Sequence, residues 1–154
     1  LKGSIPLAGG CACGAIRFEA RSEPLRIGLC HCMTCRKAHA AAFNPFIVFQ
    51  AAVVEVIGKP RSWLSSPGYD RQFCGDCGSR VIAINGDEVE ISLGSLDEPG
   101  MLEPQYESWV FVASRGFAPS IDRSTLANGM RNVTVAPISL KKAASGNWHE
   151  AAAL

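Results

Sequence analysis

Apolar and charged residues alternate in "IRFEA" (16–20) and "EVEISL" (88–93), the period of two that sends successive side chains to opposite faces of a strand. The segments "AIRFEA", "LRIGLC", "FNPFIVF", "VVEVIG", "RSWLSS", "RVIAIN", "EVEISLGSL" and "SWVFVAS" share that character, and Gly, Pro and Asp punctuate the chain around them. Their β-branched and aromatic content predicts a mainly β fold of antiparallel sheets. Pro45 removes a ladder donor from "FNPFIVF" and so predicts an edge strand or a bulge there. "CRKAHAAAF" has helix-forming content but is too short to stand alone, which predicts a turn or two of helix after Cys35. Residues 1–134 read as a single zinc-binding domain, and 135–154 as a peripheral tail with a short surface helix.

Composition narrows the partners. A chain of 154 residues with 47% hydrophobic and 19% charged residues suits one folded domain. Fifteen Lys and Arg balance 14 Asp and Glu, a net charge of +1, which offers no footprint for nucleic acid or an anionic membrane. No apolar run reaches the roughly 20 residues of a membrane span, and "LKGSIPLAGG" lacks the apolar core of a secretory signal. A cytoplasmic location is the expectation. The oligomeric state is not legible.

Seven cysteines change the picture. Structural disulfides are disfavoured in a reducing compartment and an odd count leaves one thiol over, so metal ligation or redox chemistry is expected. "CACG" (11–14) and "CGDCG" (74–78) each place Gly directly after the second Cys, where a tight turn around a metal favours positive φ and an amide aimed at sulfur. About sixty residues separate the two clusters, so they belong to different hairpins. Together Cys11, Cys13, Cys74 and Cys77 supply the four thiolates of a closed structural zinc site.

The middle cluster, "CHCMTC", contributes Cys30, Cys32 and Cys35 and no obvious fourth ligand. Three protein ligands with an exchangeable fourth position mark a catalytic zinc. Three thiolates over-neutralise a divalent ion and make it a poor activator of water, so hydrolysis is disfavoured. A thiol entering the fourth position suits the site better, because it would be held as a nucleophilic thiolate. Arg36 and Lys37 follow the third ligand and are candidates for offsetting charge or binding substrate carboxylates; His39 is a candidate base. Other readings of the cluster are a structural metal completed by His31 or His39, a redox disulfide, or a non-catalytic two-zinc interaction module. His31, between two ligand cysteines, is expected to point away from the metal into a solvated or hydrogen-bonded role. Phe43, Trp63 and Trp109 are expected in the core.

"GGCACGAIRFEA", "CHCMTCRK", "RQFCGDCGSRV" and "ISLGSLDEPG" resemble, in order and spacing, the glutathione-dependent formaldehyde-activating enzyme family, the centromere protein V-like proteins, over roughly residues 9 to 110. The resemblance implies a β-tent of twisted antiparallel sheets, a structural zinc on the outer cysteine clusters and a catalytic zinc on the middle one. It further implies a carbon–sulfur lyase that joins formaldehyde to glutathione as S-hydroxymethylglutathione. The chain departs from the family pattern at Ala40, where a glycine is common, and at Phe117, near a common Trp; it keeps Glu107 and Trp109 of a Glu-x-Trp pattern.

Overall fold

Strand β4 (Asn44–Gln50) runs down the middle of an eight-stranded sheet, and its alternation explains the layout around it. Ile47 and Phe49 are fully buried against the core, while Phe46 and Val48 point to the opposite face. A computed structural model of the chain describes residues 6–98, 102–114 and 130–131. The strands around β4 are β1 (Leu7–Gly10), β2 (Arg17–Ala20), β3 (Arg26–Cys30), β5 (Val54–Ile57), β6 (Arg61–Ser66), β7 (Tyr69–Phe73), β8 (Arg80–Asn85), β9 (Glu88–Ser92), β10 (Tyr106–Ser108) and β11 (Met130–Arg131). One helix, α1 (Met33–His39), follows β3.

The large sheet has the order β11-β10-β3-β4-β9-β8-β7-β6, and a small one has the order β1-β2-β5. Among the described residues all strand pairings are antiparallel except that of β10 with β3. Phe18 and Ala20 from β2 join Ile27, Ile47, Phe49, Val81, Ile82, Val89 and Ile91 in one core, so the inner faces of both sheets bury the same cluster. Burying such side chains removes apolar surface from water at about 25 cal/mol per Å². The opposite face of the large sheet is polar and aromatic, and it carries the site described below.

Several sequence expectations change here. Pro45 lies in an interior strand; it is tolerated because it faces Leu29 of β3 at the end of β4, one residue before β9 begins to pair at Phe46. "SWVFVAS" contributes strand only to Ser108; Trp109 takes left-handed backbone (φ 57°) and Val110–Val112 form a 3₁₀ turn. Strands β1 ("LAGG") and β7 ("YDRQF") are additional, their glycine and charge content having masked them. The helix begins before Cys35, with Cys32 as its N-cap and Ala40 as its left-handed C-cap (φ 48°). Trp63 and Trp109 are 42% and 48% exposed, so neither is a core residue, while Phe43 is half-buried. Phe117 and the tail 135–154 lie outside the described residues.

Candidate metal centres

The outer cysteines occupy two hairpin loops, Cys11 and Cys13 between β1 and β2, Cys74 and Cys77 between β7 and β8. Each loop turns on the glycine after its second cysteine, Gly14 at φ 79° and Gly78 at φ 76°, conformations a side chain would strain. Their amides bond back to the carbonyls of Cys11 and Cys74. The amides that serve sulfur are instead those of Ile16, 3.2 Å from Cys11 Sγ, of Ala15 toward Cys13 and of Ser79 toward Cys77. The four sulfurs lie within 4.8 Å of one another. Cys11 Sγ to Cys13 Sγ is 3.5 Å and Cys13 Sγ to Cys74 Sγ is 3.7 Å, close to the roughly 3.8 Å edge of a tetrahedron with zinc–sulfur bonds of about 2.3 Å. One hairpin comes from the small sheet and the other from the large sheet, so an ion held here would clamp the two layers together.

The middle cysteines are assembled by one strand end and one helix. Cys30 ends β3, Cys32 caps α1 by accepting the amide of Cys35 at 3.3 Å, and Cys35 stands on the buried side of the helix. Their sulfurs also lie within 4.8 Å of one another. All seven cysteines are free thiols. No histidine belongs to either cluster among the described residues. His31 is 1% exposed, and its Nε2 lies 2.7 Å from Glu107 Oε2. Its ring packs on Phe43 with centroids 5.5 Å apart, and its amide donates to Ser108 O. The hydrogen-bonded role expected for His31 holds, the solvated one does not, and the pair ties β10 to the cysteine segment.

Electrostatics distinguishes the thiols. Cys30 is drawn down to about 5, chiefly by its hydrogen bond with Cys35, and that contact together with burial pushes Cys35 far above the ordinary thiol range. In the outer cluster the hydroxyl and amide of Ser79 draw Cys77 down to about 5. The amide of Ala15 favours the Cys13 thiolate, but hydrogen bonds with Cys11, Cys77 and Cys74 outweigh it and push that thiol up to about 12. Crowded thiols cannot all ionise side by side without a cation among them. The donor set in both clusters therefore fits a soft divalent metal.

The three-thiol cluster opens into a cavity of about 1050 Å³, a size suited to a small organic ligand. Its floor is the outer face of the large sheet, where Arg26, Val48, Glu90, Ala83, Arg71 and Trp63 stand opposite one another across six strands. Arg71 is 5% exposed; its Nη2 lies 3.5 Å from Cys35 Sγ, its Nε donates to Ser65 Oγ at 2.9 Å and its guanidinium covers the Tyr69 ring at 4.7 Å. Its Nη1 is buried without a partner. Tyr69 donates its hydroxyl proton to Glu90 Oε2, and Asn44 Nδ2 donates to Glu90 Oε1 at 3.1 Å. Burial raises Glu90 above the ordinary carboxylate range, against the lowering effect of those partners.

Arg36 and Lys37 lie on α1 away from the cavity wall, Arg36 donating from Nη1 to Val112 O at 2.8 Å. His39 faces a second cavity of about 680 Å³ at the C-terminal end of the helix. Burial there, with Arg80 and Arg71 nearby, lowers His39 to about 4 and keeps it neutral. Arg71, Tyr69 and Glu90 were not singled out in the sequence. Glu90 occupies the outward beat of the alternation in "EVEISL", and Arg71 precedes Cys74 by three positions, but neither pattern names the cavity they share.

The fold and site define a mainly β chain with two separate cysteine clusters that could each hold a metal ion, one of four thiols and one of three that opens into a cavity beside a buried arginine. Residues 6–111 match the model of the family described as "Glutathione-dependent formaldehyde-activating enzyme", and the chain is a member of that family. A relative named as an uncharacterized lyase of Schizosaccharomyces pombe is 34% identical over 73 residues, 47% of this chain and 53% of its own, so the chain spans about half of that relative's length. A crystal structure of a Rhodobacter sphaeroides protein shares the fold, with a TM-score of 0.52 at 19% identity over 61% of this chain and 91% of that one. Among the described residues no helix is long and apolar enough to cross a membrane.

Proposed function

We propose that the protein is a zinc-dependent carbon–sulfur lyase that reversibly joins a small thiol, of which glutathione is the family's example, to formaldehyde or a related small aldehyde. The observation that carries this is the three-thiol cluster opening into a ligand-sized cavity, with a buried arginine against one of its sulfurs. Cys11, Cys13, Cys74 and Cys77 would hold a structural zinc, and Cys30, Cys32 and Cys35 a second whose remaining position is open. Zinc in the second site would supply a lowered thiol pKa, keeping the entering sulfur as thiolate near neutral pH.

The chain's own groups do the rest. Arg71 offsets the negative charge that three thiolates leave beside a divalent ion. In the forward direction the thiol's proton passes to Glu90, the sulfur lone pair forms the bond to the carbonyl carbon, and the carbonyl π pair moves to oxygen. That oxygen takes the proton back from Glu90 through the Tyr69 hydroxyl, giving the S-hydroxyalkyl adduct; the reverse sequence cleaves it. Burial suits Glu90 to this exchange, because it brings the carboxyl closer to neutral pH than an exposed carboxylate. Arg71 Nη1 is free to donate to the adduct oxygen.

The test is exchange spectroscopy of the glutathione–formaldehyde equilibrium with zinc-loaded protein. Acceleration over the spontaneous rate is expected, with Cys32→Ser abolishing it and Glu90→Gln lowering it by about 10²-fold, the low end for a general acid–base group. No acceleration by a fully loaded protein, with either glutathione or 2-phenylethanethiol as the thiol partner of formaldehyde, would remove the proposed activity.

A further inference from the structure

We infer that the thiol this site takes has an apolar body rather than the carboxylate-bearing ends of a peptide thiol; the inference rests on the thiol reading above and narrows it. Charge complementarity decides it. A ligand with free carboxylates needs unpaired cations, and among the described residues the two arginines on the cavity wall are already engaged. Arg26 is held by Glu88 at 2.7 Å, and Arg71 faces Cys35 and Ser65. Arg71 Nη1, left without a partner, is buried on the guanidinium whose Nη2 meets Cys35 Sγ, where it can serve an atom next to the reacting sulfur but not a distant carboxylate.

The mouth is apolar in a constructed way. Met33 is 60%, Trp109 48%, Phe111 57% and Val112 36% exposed, and all four line the cavity. Large apolar side chains this exposed and this contiguous mark a binding surface. Trp109 holds left-handed backbone, an arrangement a non-glycine residue keeps only where its surroundings enforce it. Its ring leans on Phe111 with centroids 5.5 Å apart, and Arg36 anchors the following turn at Val112 O. The turn therefore presents two aromatic rings to the cavity that the cysteines also line, as an aryl or alkyl group attached to a short thiol arm would require.

The experiment is calorimetric titration of the zinc-loaded full chain with 2-phenylethanethiol, its S-methyl thioether and glutathione, in the parent and in Phe111→Ala. 2-Phenylethanethiol is expected to bind at least tenfold tighter than glutathione, and Phe111→Ala to erase most of that preference while leaving glutathione affinity within twofold. Tighter binding of glutathione, or an equal loss for both thiols in Phe111→Ala, would overturn the inference. The thioether separates the two readings: if it binds as tightly as the thiol with no proton release, thiol coordination fails while the apolar preference stands. Phe111 is more than half exposed, so its removal should leave the fold intact, and an unchanged melting temperature checks this.

Discussion

Ala40 is the residue at which a local conflict is plainest. It closes α1 in left-handed backbone at φ 48°, its amide bonding back toward Arg36 O and Lys37 O, a place that glycine fills at no steric cost. Alanine there strains the chain by roughly 1 kcal/mol. Ala40→Gly should therefore stabilise the protein by about 0.5 kcal/mol, less than the strain because glycine also loosens the unfolded chain; chemical denaturation measures it. Residues of this kind were partly legible. The motif gap at Ala40 stood out in the sequence, as did all seven cysteines and the two trailing glycines, because metal-ligand spacing is a local property. Arg71 and Glu90 were not legible, since they meet only after β7, β8 and β9 pair in register, and no sequence-local pattern encodes that pairing. Trp109 is exposed rather than core because an aromatic residue's burial depends on what covers it, and its left-handed turn carries it to the surface.

Strands were easiest to foresee where their two faces differ. β2 and β9 alternate cleanly between core and surface, and the sequence shows it; β7 is mostly polar because one of its faces builds the cavity wall, so its strand character was hidden. The outer face of the sheet carries an ion pair between β3 and β9, in which Arg26 Nη1 and Nη2 both donate to the Glu88 carboxylate. Those hydrogen bonds hold the Glu88 carboxyl below its usual range. A carboxyl with a lower pKa folded than unfolded contributes stability above the unfolded value of about 4.3, and that contribution is lost as pH falls through the folded value. Glu88→Gln should thus cost about 0.5 kcal/mol at pH 7, the modest worth of a partly exposed pair, and the gap to the parent should close in acid, at a pH well below the unfolded value. Urea denaturation of both proteins at the two pH values tests this, and a gap that persists in acid would assign the cost to packing instead.

At the scale of the whole molecule, the two cysteine clusters would divide the work if the outer one holds a structural zinc and the middle one a zinc with an open position. Cys74 is 1% exposed and joins the loop of the large sheet to that of the small one, so Cys74→Ser should unfold the protein: zinc contributes on the order of 10 kcal/mol in small structural sites, comparable to a whole domain's net stability of about 5–15 kcal/mol. Cys32→Ser removes one of three ligands beside an open cavity and should leave the melting temperature within a few degrees of the parent while abolishing thiol binding. Equal loss of fold in both variants would make both metals structural. Zinc-edge X-ray absorption of the protein loaded with two equivalents of zinc, with and without saturating thiol, tests the central claim most directly. Seven cysteine sulfurs shared by two ions predict an average of about 3.5 sulfurs per zinc near 2.3 Å and a light-atom neighbour in the free protein, rising to about 4 when a thiol sulfur enters the second site. An average that stays near 3.5 under saturating thiol, or that already stands at 4 without it, would contradict the account.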